Sequence, residues 1–260
     1  MGSVKAMSVS RLETYASCGY SYKLDRLDKK PRRQAVWYVQ GTAVHGGLEH
    51  YERSLRQVSV DECLAVFERV WHEELAKAKD KQPDPSMWMI GGNRKLETDI
   101  AKRFEQGREQ IEGYIAQNQP GDDLSPVEIA PGEPALEVGF ELDFDGVKVL
   151  GYIDCVREER ATGRLVPEDW KTGRNVPTGP FQLATYRFAL EELTGQTIEY
   201  ARYWMCRENK PVTVDLRKYT REEVADWYRQ LVTGIENKVF LPNPGDCFTC
   251  TVKPSCKYAA

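Results

Sequence analysis

The stretch from 151 to 173, GYIDCVREERATGRLVPEDWKTG, decides how this chain reads. Two β-prone runs flank a polar turn at 161 to 163, and a hairpin there folds the second run back antiparallel on the first. Side chains two apart on a strand share a face, so Asp169 and Lys171 point one way while Glu168 and Trp170 point the other. The fold-back brings Asp154 beside Asp169 as a second carboxylate on that face. Two carboxylates can hold a hard divalent cation, Mg2+ or Mn2+, which polarises a phosphoryl oxygen and acidifies a water. A lysine beside them steadies the developing charge. The plain alternative is a solvated hairpin carrying an exposed ion pair.

The rest of the composition bounds the answer. With 260 residues, 41% of them hydrophobic, the chain has enough apolar material for a sizeable core in one large domain or two small ones. No apolar run approaches the roughly 20 residues of a membrane span, and the start MGSVKAMSVS lacks the apolar stretch of a secretory leader. The expectation is a cytoplasmic protein with no membrane partner. In a reducing compartment seven cysteines read as metal ligands or buried thiols rather than disulfides. A net charge of −4 argues against a surface that coats nucleic acid everywhere, so contact with a polyanion falls to a local basic patch. No G-x-x-x-x-G-K-[ST] loop occurs, which argues against a built-in ATP motor.

Upstream of the hairpin the periodicity is helical. Ser10 and Glu13 form an S-x-x-E capping box for a first helix that delivers Cys18 near its end. The segment KLDRLDKKPRRQAVWY, 23 to 38, gathers Lys23, Arg26, Lys29, Lys30, Arg32 and Arg33 beside Trp37 and Tyr38. Cations that track phosphates next to rings that stack on bases suit single-stranded nucleic acid, although a solvated charge run is the commoner origin of such a stretch. Val44, Leu48, Tyr51 and Leu55 predict a helix over 42 to 56, with His45 beside the apolar stripe as either a packing residue or a metal ligand. Ser59 and Glu62 box a third helix with a core face from Cys63 to Leu75, and a loop over 82 to 93 carries Met87, Trp88 and Met89 as a lid or as packing. A further helix covers 94 to 117.

After 134 the period changes to alternation through Leu136, Val138, Phe140 and Leu142, with a turn at Asp145-Gly146. A β-meander runs through the Asp154 and Asp169 strands. It meets a helix over 179 to 193, closed by Gly195, on which Gln182 and Tyr186 lie one turn apart. Strands over 197 to 206 and 212 to 216 precede a last helix boxed by Thr220 and Glu223. The fold class is α/β: a mixed sheet flanked by helices over 133 to 240, a mainly helical part over 8 to 132, and a cysteine-rich tail over 241 to 260. In that tail CFTCTVKPSC spaces Cys247, Cys250 and Cys256 to wrap one inorganic centre. Cys18 is the best fourth donor, because Cys63, Cys155 and Cys206 sit in segments that read as buried. Four thiolates hold zinc or a [4Fe-4S] cluster, and by spacing alone zinc is the commoner.

Taken together the residues resemble the RecB-type branch of the PD-(D/E)XK nuclease superfamily, in particular its iron–sulfur-bearing members, the CRISPR-associated Cas-four exonucleases and phage relatives. The resemblance spans nearly the whole chain, 1 to 260, as one nuclease domain. It rests on Cys18 after SVSRLETYAS, His45 in GTAVHGGLEHY, Asp154 in GYID, Asp169 and Lys171 in EDWKTG, Gln182 and Tyr186 in QLATY, and the terminal cysteine triplet. It implies a restriction-endonuclease-like core in which His45, Asp154, Asp169 and the main-chain carbonyl of Trp170 ligate Mg2+ or Mn2+ while Lys171 assists the attacking water. Gln182 and Tyr186 then support the site and the DNA beside it. By the same resemblance Cys18, Cys247, Cys250 and Cys256 hold a [4Fe-4S] cluster, reversing the preference for zinc.

Two features depart from the family pattern: Gly19 follows Cys18 where relatives often have proline, and no helicase module accompanies the nuclease motifs. The function implied is a metal-dependent DNA exonuclease acting on single-stranded or frayed duplex ends. The alternatives are a binding or processing subunit of a CRISPR-adaptation or recombination complex, working with a protein partner, and a zinc-stapled interaction protein.

Overall fold

The computed structural model describes residues 6–92 and 94–259. Met1 to Lys5, half of the stretch read for a leader, Asn93 at the end of the predicted loop and Ala260 lie outside the described residues. In chain order the elements are α1 (Val9–Ser17), α2 (Gly19–Tyr22), β1 (Gln34–Ala35), α3 (Val36–Arg53), α4 (Val60–Lys81), β2 (Trp88–Met89), α5 (Leu96–Gln117), β3 (Leu124–Pro126), β4 (Glu128–Ala130), β5 (Glu133–Pro134), β6 (Leu136–Phe144), β7 (Val147–Glu159), β8 (Arg164–Lys171), α6 (Phe181–Thr194), β9 (Tyr200–Met205), β10 (Lys210–Asp215) and α7 (Arg221–Glu236).

Local rules account for most boundaries. Ser59 and Glu62 cap α4 reciprocally, as Thr220 and Glu223 cap α7, and α6 ends on left-handed Gly195 at φ 72°. The β6–β7 hairpin turns through Asp145 and Gly146, both with positive φ, the geometry that matches the twist of the flanking strands. Two starts differ from expectation. Helix α1 is capped by Ser8, whose hydroxyl accepts the N–H of Arg11, and not by Ser10. Helix α3 begins at Val36 and not near residue 42, because its cap residue, Ala35, offers no side-chain oxygen for a sequence rule to detect. Burial of Val36 and Val39 stabilises that first turn instead. Trp88 and Met89 are buried in the short β1–β2 pairing, so they pack and do not form a lid.

The main sheet runs β10-β9-β8-β7-β3, with β6 also pairing β7. Only β8 and β9 are parallel, and α6 lies in the connection between them. Leu12 of α1, Leu183 and Phe188 of α6, and Tyr228 of α7 pack with Ile153, Tyr203 and Met205 on one face. Helices α3, α4 and α5 cover the other through Leu48, Phe67 and Ile111, which cluster with Cys155, Trp170 and Trp204. This is the expected mixed sheet between helical layers. None of the described helices is long and apolar enough to cross a membrane.

The sheet forks at one place. Strands β7 and β8 pair from Glu159↔Arg164 as far as Cys155↔Glu168, and there their pairing stops. Beyond it β7 continues with β6 to Val147 while β8 continues with β9 to Lys171. Asp154 and Asp169 are the first residues past the last pair. Behind the fork, wholly buried Arg157 pairs with Glu168 at 2.7 Å and with Glu52 of α3 at 3.0 Å. Burial alone would push the Glu168 carboxyl up, but Arg157 and Arg202 outweigh it and hold it at about 2. That buried ion cluster ties α3 and β9 to the β7–β8 ladder just where the strands part.

Candidate active site at the strand fork

The groups reach the fork from two strands and two helices: Asp154 from β7, Asp169, Trp170 and Lys171 from β8, Gln182 and Tyr186 from α6, and His45 from α3. Asp154 of β7 accepts the Trp170 N–H of β8 at 3.0 Å, bridging the gap where the ladder stops. Asp169 and Lys171 share a face, as the alternation requires, with Nζ 2.6 Å from Asp169 Oδ2. Gln182, in the first turn of α6, sits between them. Its Oε1 accepts from Lys171 at 2.8 Å and its Nε2 donates to Asp169 Oδ1 at 2.6 Å and to the Tyr186 hydroxyl at 3.0 Å. One amide thus orients both the carboxylate and the ammonium. From α3 on the other side, His45 Nε2 donates to the Trp170 carbonyl at 2.7 Å, leaving Nδ1 3.6 Å from Asp154 Oδ2.

The electrostatics are those of crowded, half-dry carboxylates. Burial, and next Asp169, push the Asp154 carboxyl up to about 6, against the pull of His45. Asp169 is raised by burial with Lys171 opposing. Burial works against the Lys171 ammonium as well, but Asp169 more than offsets it, and the lysine stays charged.

Two carboxylates at this site escaped the sequence reading. Glu137 of β6 has φ 49°, an unusual value for a non-glycine in a strand, and one ligand atom each of His45, Glu137 and Asp154 fall within 4.8 Å of one another. Strand alternation makes it an ordinary outward residue, so no local signal marks it. Glu13 was read as a cap partner for Ser10. With Ser8 in that role, Glu13 turns to the fork, where burial raises its carboxyl and Lys171 opposes.

A family model described as the PD-(D/E)XK nuclease superfamily matches residues 6–257. The chain belongs to that superfamily. It is also 33% identical over 262 residues to the Gene 69 protein of Mycobacterium phage D29, covering 96% of this chain and 95% of that one. The Gene 69 protein of Mycobacterium phage L5 is 32% identical over 278 residues at the same coverage. The solved structure of SSO0001 aligns over 96% of both chains at 13% identity with a TM-score of 0.36, too distant to inform the site.

Members of this nuclease superfamily are metal-dependent and act on DNA, and the fork offers a donor set for a divalent cation. Two ligands each about 2.1 Å from one ion lie no more than about 4.2 Å apart, a limit within which His45 Nδ1 and Asp154 Oδ2 fall at 3.6 Å. Two buried carboxylates that repel one another and a third at the rim supply the negative charge. The residues fit the ion.

The basic segment of this nuclease is less free than its composition suggests. Lys23 pairs with Asp28 at 2.5 Å, and Arg26 and Arg32 both pair with buried Asp25. Arg33 donates to the Cys250 carbonyl at 2.6 Å and to the Phe248 carbonyl at 3.1 Å, bracing the tail. Lys29 and Lys30 stay exposed, and Trp37 lies 5.2 Å from the Arg103 guanidinium.

Cys18, Cys247, Cys250 and Cys256 are free thiols that line one cavity of about 440 Å³, bringing the two ends of the chain together. Ser21 contacts two of them, its N–H donating to Cys18 Sγ at 3.4 Å and its hydroxyl lying 3.5 Å from Cys250 Sγ. They are not drawn up as a finished metal site. Tetrahedral zinc needs sulphurs about 3.8 Å apart. Among the described residues no three of these sulphurs lie within 4.8 Å of one another. Cys63, Cys155 and Cys206 are fully buried, as read.

Proposed function

We propose that this PD-(D/E)XK protein is a metal-dependent exonuclease that hydrolyses phosphodiester bonds at single-stranded or frayed DNA ends. The observation that carries the reading is the fork itself, which gathers Asp154, Asp169, Lys171 and His45 around one opening. A divalent cation held by Asp154, Asp169, His45 and the Trp170 carbonyl supplies a polarised phosphoryl oxygen and an acidified water. Glu137 adds a carboxylate to that set. Lys171, kept protonated by Asp169, stabilises negative charge as it builds on the phosphate. Gln182 holds the Lys171 and Asp169 side chains in their mutual orientation, and Tyr186 locks the Gln182 amide. Trp170 contributes its carbonyl, while its ring, anchored by the Glu168 carboxylate at 3.2 Å, keeps that strand from shifting.

The proposal extends to the cysteines: Cys18, Cys247, Cys250 and Cys256 hold a [4Fe-4S] cluster that clasps the two ends of the chain. Supporting it are four free thiols that line one cavity and their resemblance, in order along the chain, to the ligands of the iron–sulfur-bearing nucleases. The clasp has a protein part already, since Tyr20 N–H donates to Leu241 O at 3.1 Å and Arg33 N–H to Thr251 O at 2.7 Å. Hydrolysis moves no electrons, so the cluster's part is mechanical. The function is tested by incubating end-labelled linear DNA and covalently closed circles with Mg2+, Mn2+ or chelator. Loss of linear ends with intact circles, only with metal, is the expected result; cut circles would establish an endonuclease, and activity in chelator would sink the reading.

A further inference from the structure

We propose that Arg94 and Arg103, with the Trp37 ring over Arg103, form a second phosphodiester-binding position for the DNA strand that enters the fork; the inference rests on the nuclease reading and extends it. Asp99, wholly buried in the first turn of α5, faces both arginines. Its Oδ1 lies 3.2 Å from Arg94 Nε and its Oδ2 3.0 Å from Arg103 Nε. One carboxylate thus orients Arg103 by a hydrogen bond and holds Arg94 by charge alone, and two guanidiniums against it leave one positive charge in excess. Arg94 Nη2 and Arg103 Nη2 converge on a single point at Gly91, where a Cβ would stand 2.8 Å from the first and 3.4 Å from the second. A side chain at position 91 would press on Arg94 Nη2, and the two distances place the nitrogens no more than about 6.2 Å apart, close enough for one phosphodiester to bridge them. Two converging guanidinium edges match the oxygens of a phosphodiester, which guanidinium binds through paired N–H donors.

The pair is held in register with the fork by buried amides. Arg103 Nη1 donates to Gln40 Oε1 at 3.0 Å, Gln40 Nε2 to Gln110 Oε1 at 3.0 Å, and Gln110 Nε2 to the Thr172 carbonyl at 2.9 Å. Thr172 directly follows Lys171. Both glutamines are almost fully buried, so the chain of bonds is a strut and not a solvated contact. Trp37 lies on the first turn of α3, and the helix from there to His45 spans about 12 Å. A strand gripped at the Arg pair therefore has a few nucleotides to run before its scissile bond meets the fork. The partly exposed Trp37 ring, 5.2 Å from the Arg103 guanidinium, offers a face on which a base can stack.

The test measures binding of a fluorescein-labelled single-stranded oligodeoxythymidine by anisotropy, in chelator so that it is not cut, across a salt series. Arg94 is about one-third exposed on the approach to α5, so Arg94→Gln should fold normally. It is expected to weaken binding about tenfold and to flatten the log–log salt slope by about 0.7, the value for one phosphate contact on a single strand. Arg94→Lys should restore the slope, and Trp37→Ala should lose about fivefold or more in affinity without changing it. Unchanged affinity and slope in Arg94→Gln would overturn the inference, reduce the pair to an ion triad that ties Arg94 onto α5, and leave the nuclease reading standing. A wild-type protein that binds no single strand would also overturn the inference, and the nuclease reading would then be decided by the cleavage assay.

Discussion

Replacing the central metal-binding carboxylate should stabilise the metal-free enzyme. Asp154 is pushed from 3.8 to about 6 by burial and by Asp169. In the unfolded chain it ionises freely at the lower value, so between those limits the folded state holds the extra proton. Stability then falls as pH rises through that window, and the full deficit is present above about pH 6. Two pKa units correspond to about 3 kcal/mol, an upper value because the neighbouring Asp169 and His45 relax when the charge is removed. Asn at this position is neutral at every pH and its amide oxygen can still accept the Trp170 N–H. For a chain of this size Asp154→Asn should therefore raise the Tm in chelator by up to roughly 6 to 12 °C at about pH 8, with the gap closing below about pH 4. Divalent metal should reverse the order, since only the wild type gains binding free energy in the folded state. Thermal melts of both proteins over that range, with and without Mn2+, read the effect. A variant that melts at or below the wild type in chelator at high pH would refute the account of the site as a strained, cation-requiring pair of carboxylates.

Three further outcomes are expected. Lys171→Ala should lose at least about 10²-fold in cleavage rate while still folding, and near-normal turnover would exclude the ammonium from the chemistry. Glu137→Gly should relieve the left-handed backbone strain, raising stability by about 1 kcal/mol, while the Mn2+ concentration for half-maximal cleavage rises about tenfold; a Tm gain with no change in metal demand would make Glu137 a bystander. Cys18→Ala and Cys256→Ala, purified without oxygen, should each bleach the brown iron–sulfur colour whereas Cys63→Ala keeps it, and a colourless wild type would end the cluster assignment.

What was legible in the chain was what short-range physics dictates. The two-residue period of a strand put Asp169 and Lys171 on one face, reciprocal capping placed the starts of α4 and α7, and the Asp145-Gly146 pair marked its hairpin. The order of motifs, from Cys18 to Cys256, was enough for the superfamily. Where no side chain carries the local signal the reading slipped: Ala35 cannot announce a helix, and Ser8 and Ser10 compete for one cap with the same hydroxyl. Composition left the basic segment open, because whether an arginine faces DNA or a neighbouring carbonyl, as Arg33 does, depends on residues more than 200 positions away. The fork is the clearest case. The point where β7 leaves β8 shows only in the pairing, β7 going on with β6 and β8 with β9, and Glu137 comes to Asp154 because Leu136↔Cys155 and Val138↔Ile153 bracket the two. Periodicity is a property of one strand, whereas the convergence of carboxylates from three strands and one helix is set by packing between segments far apart in the chain.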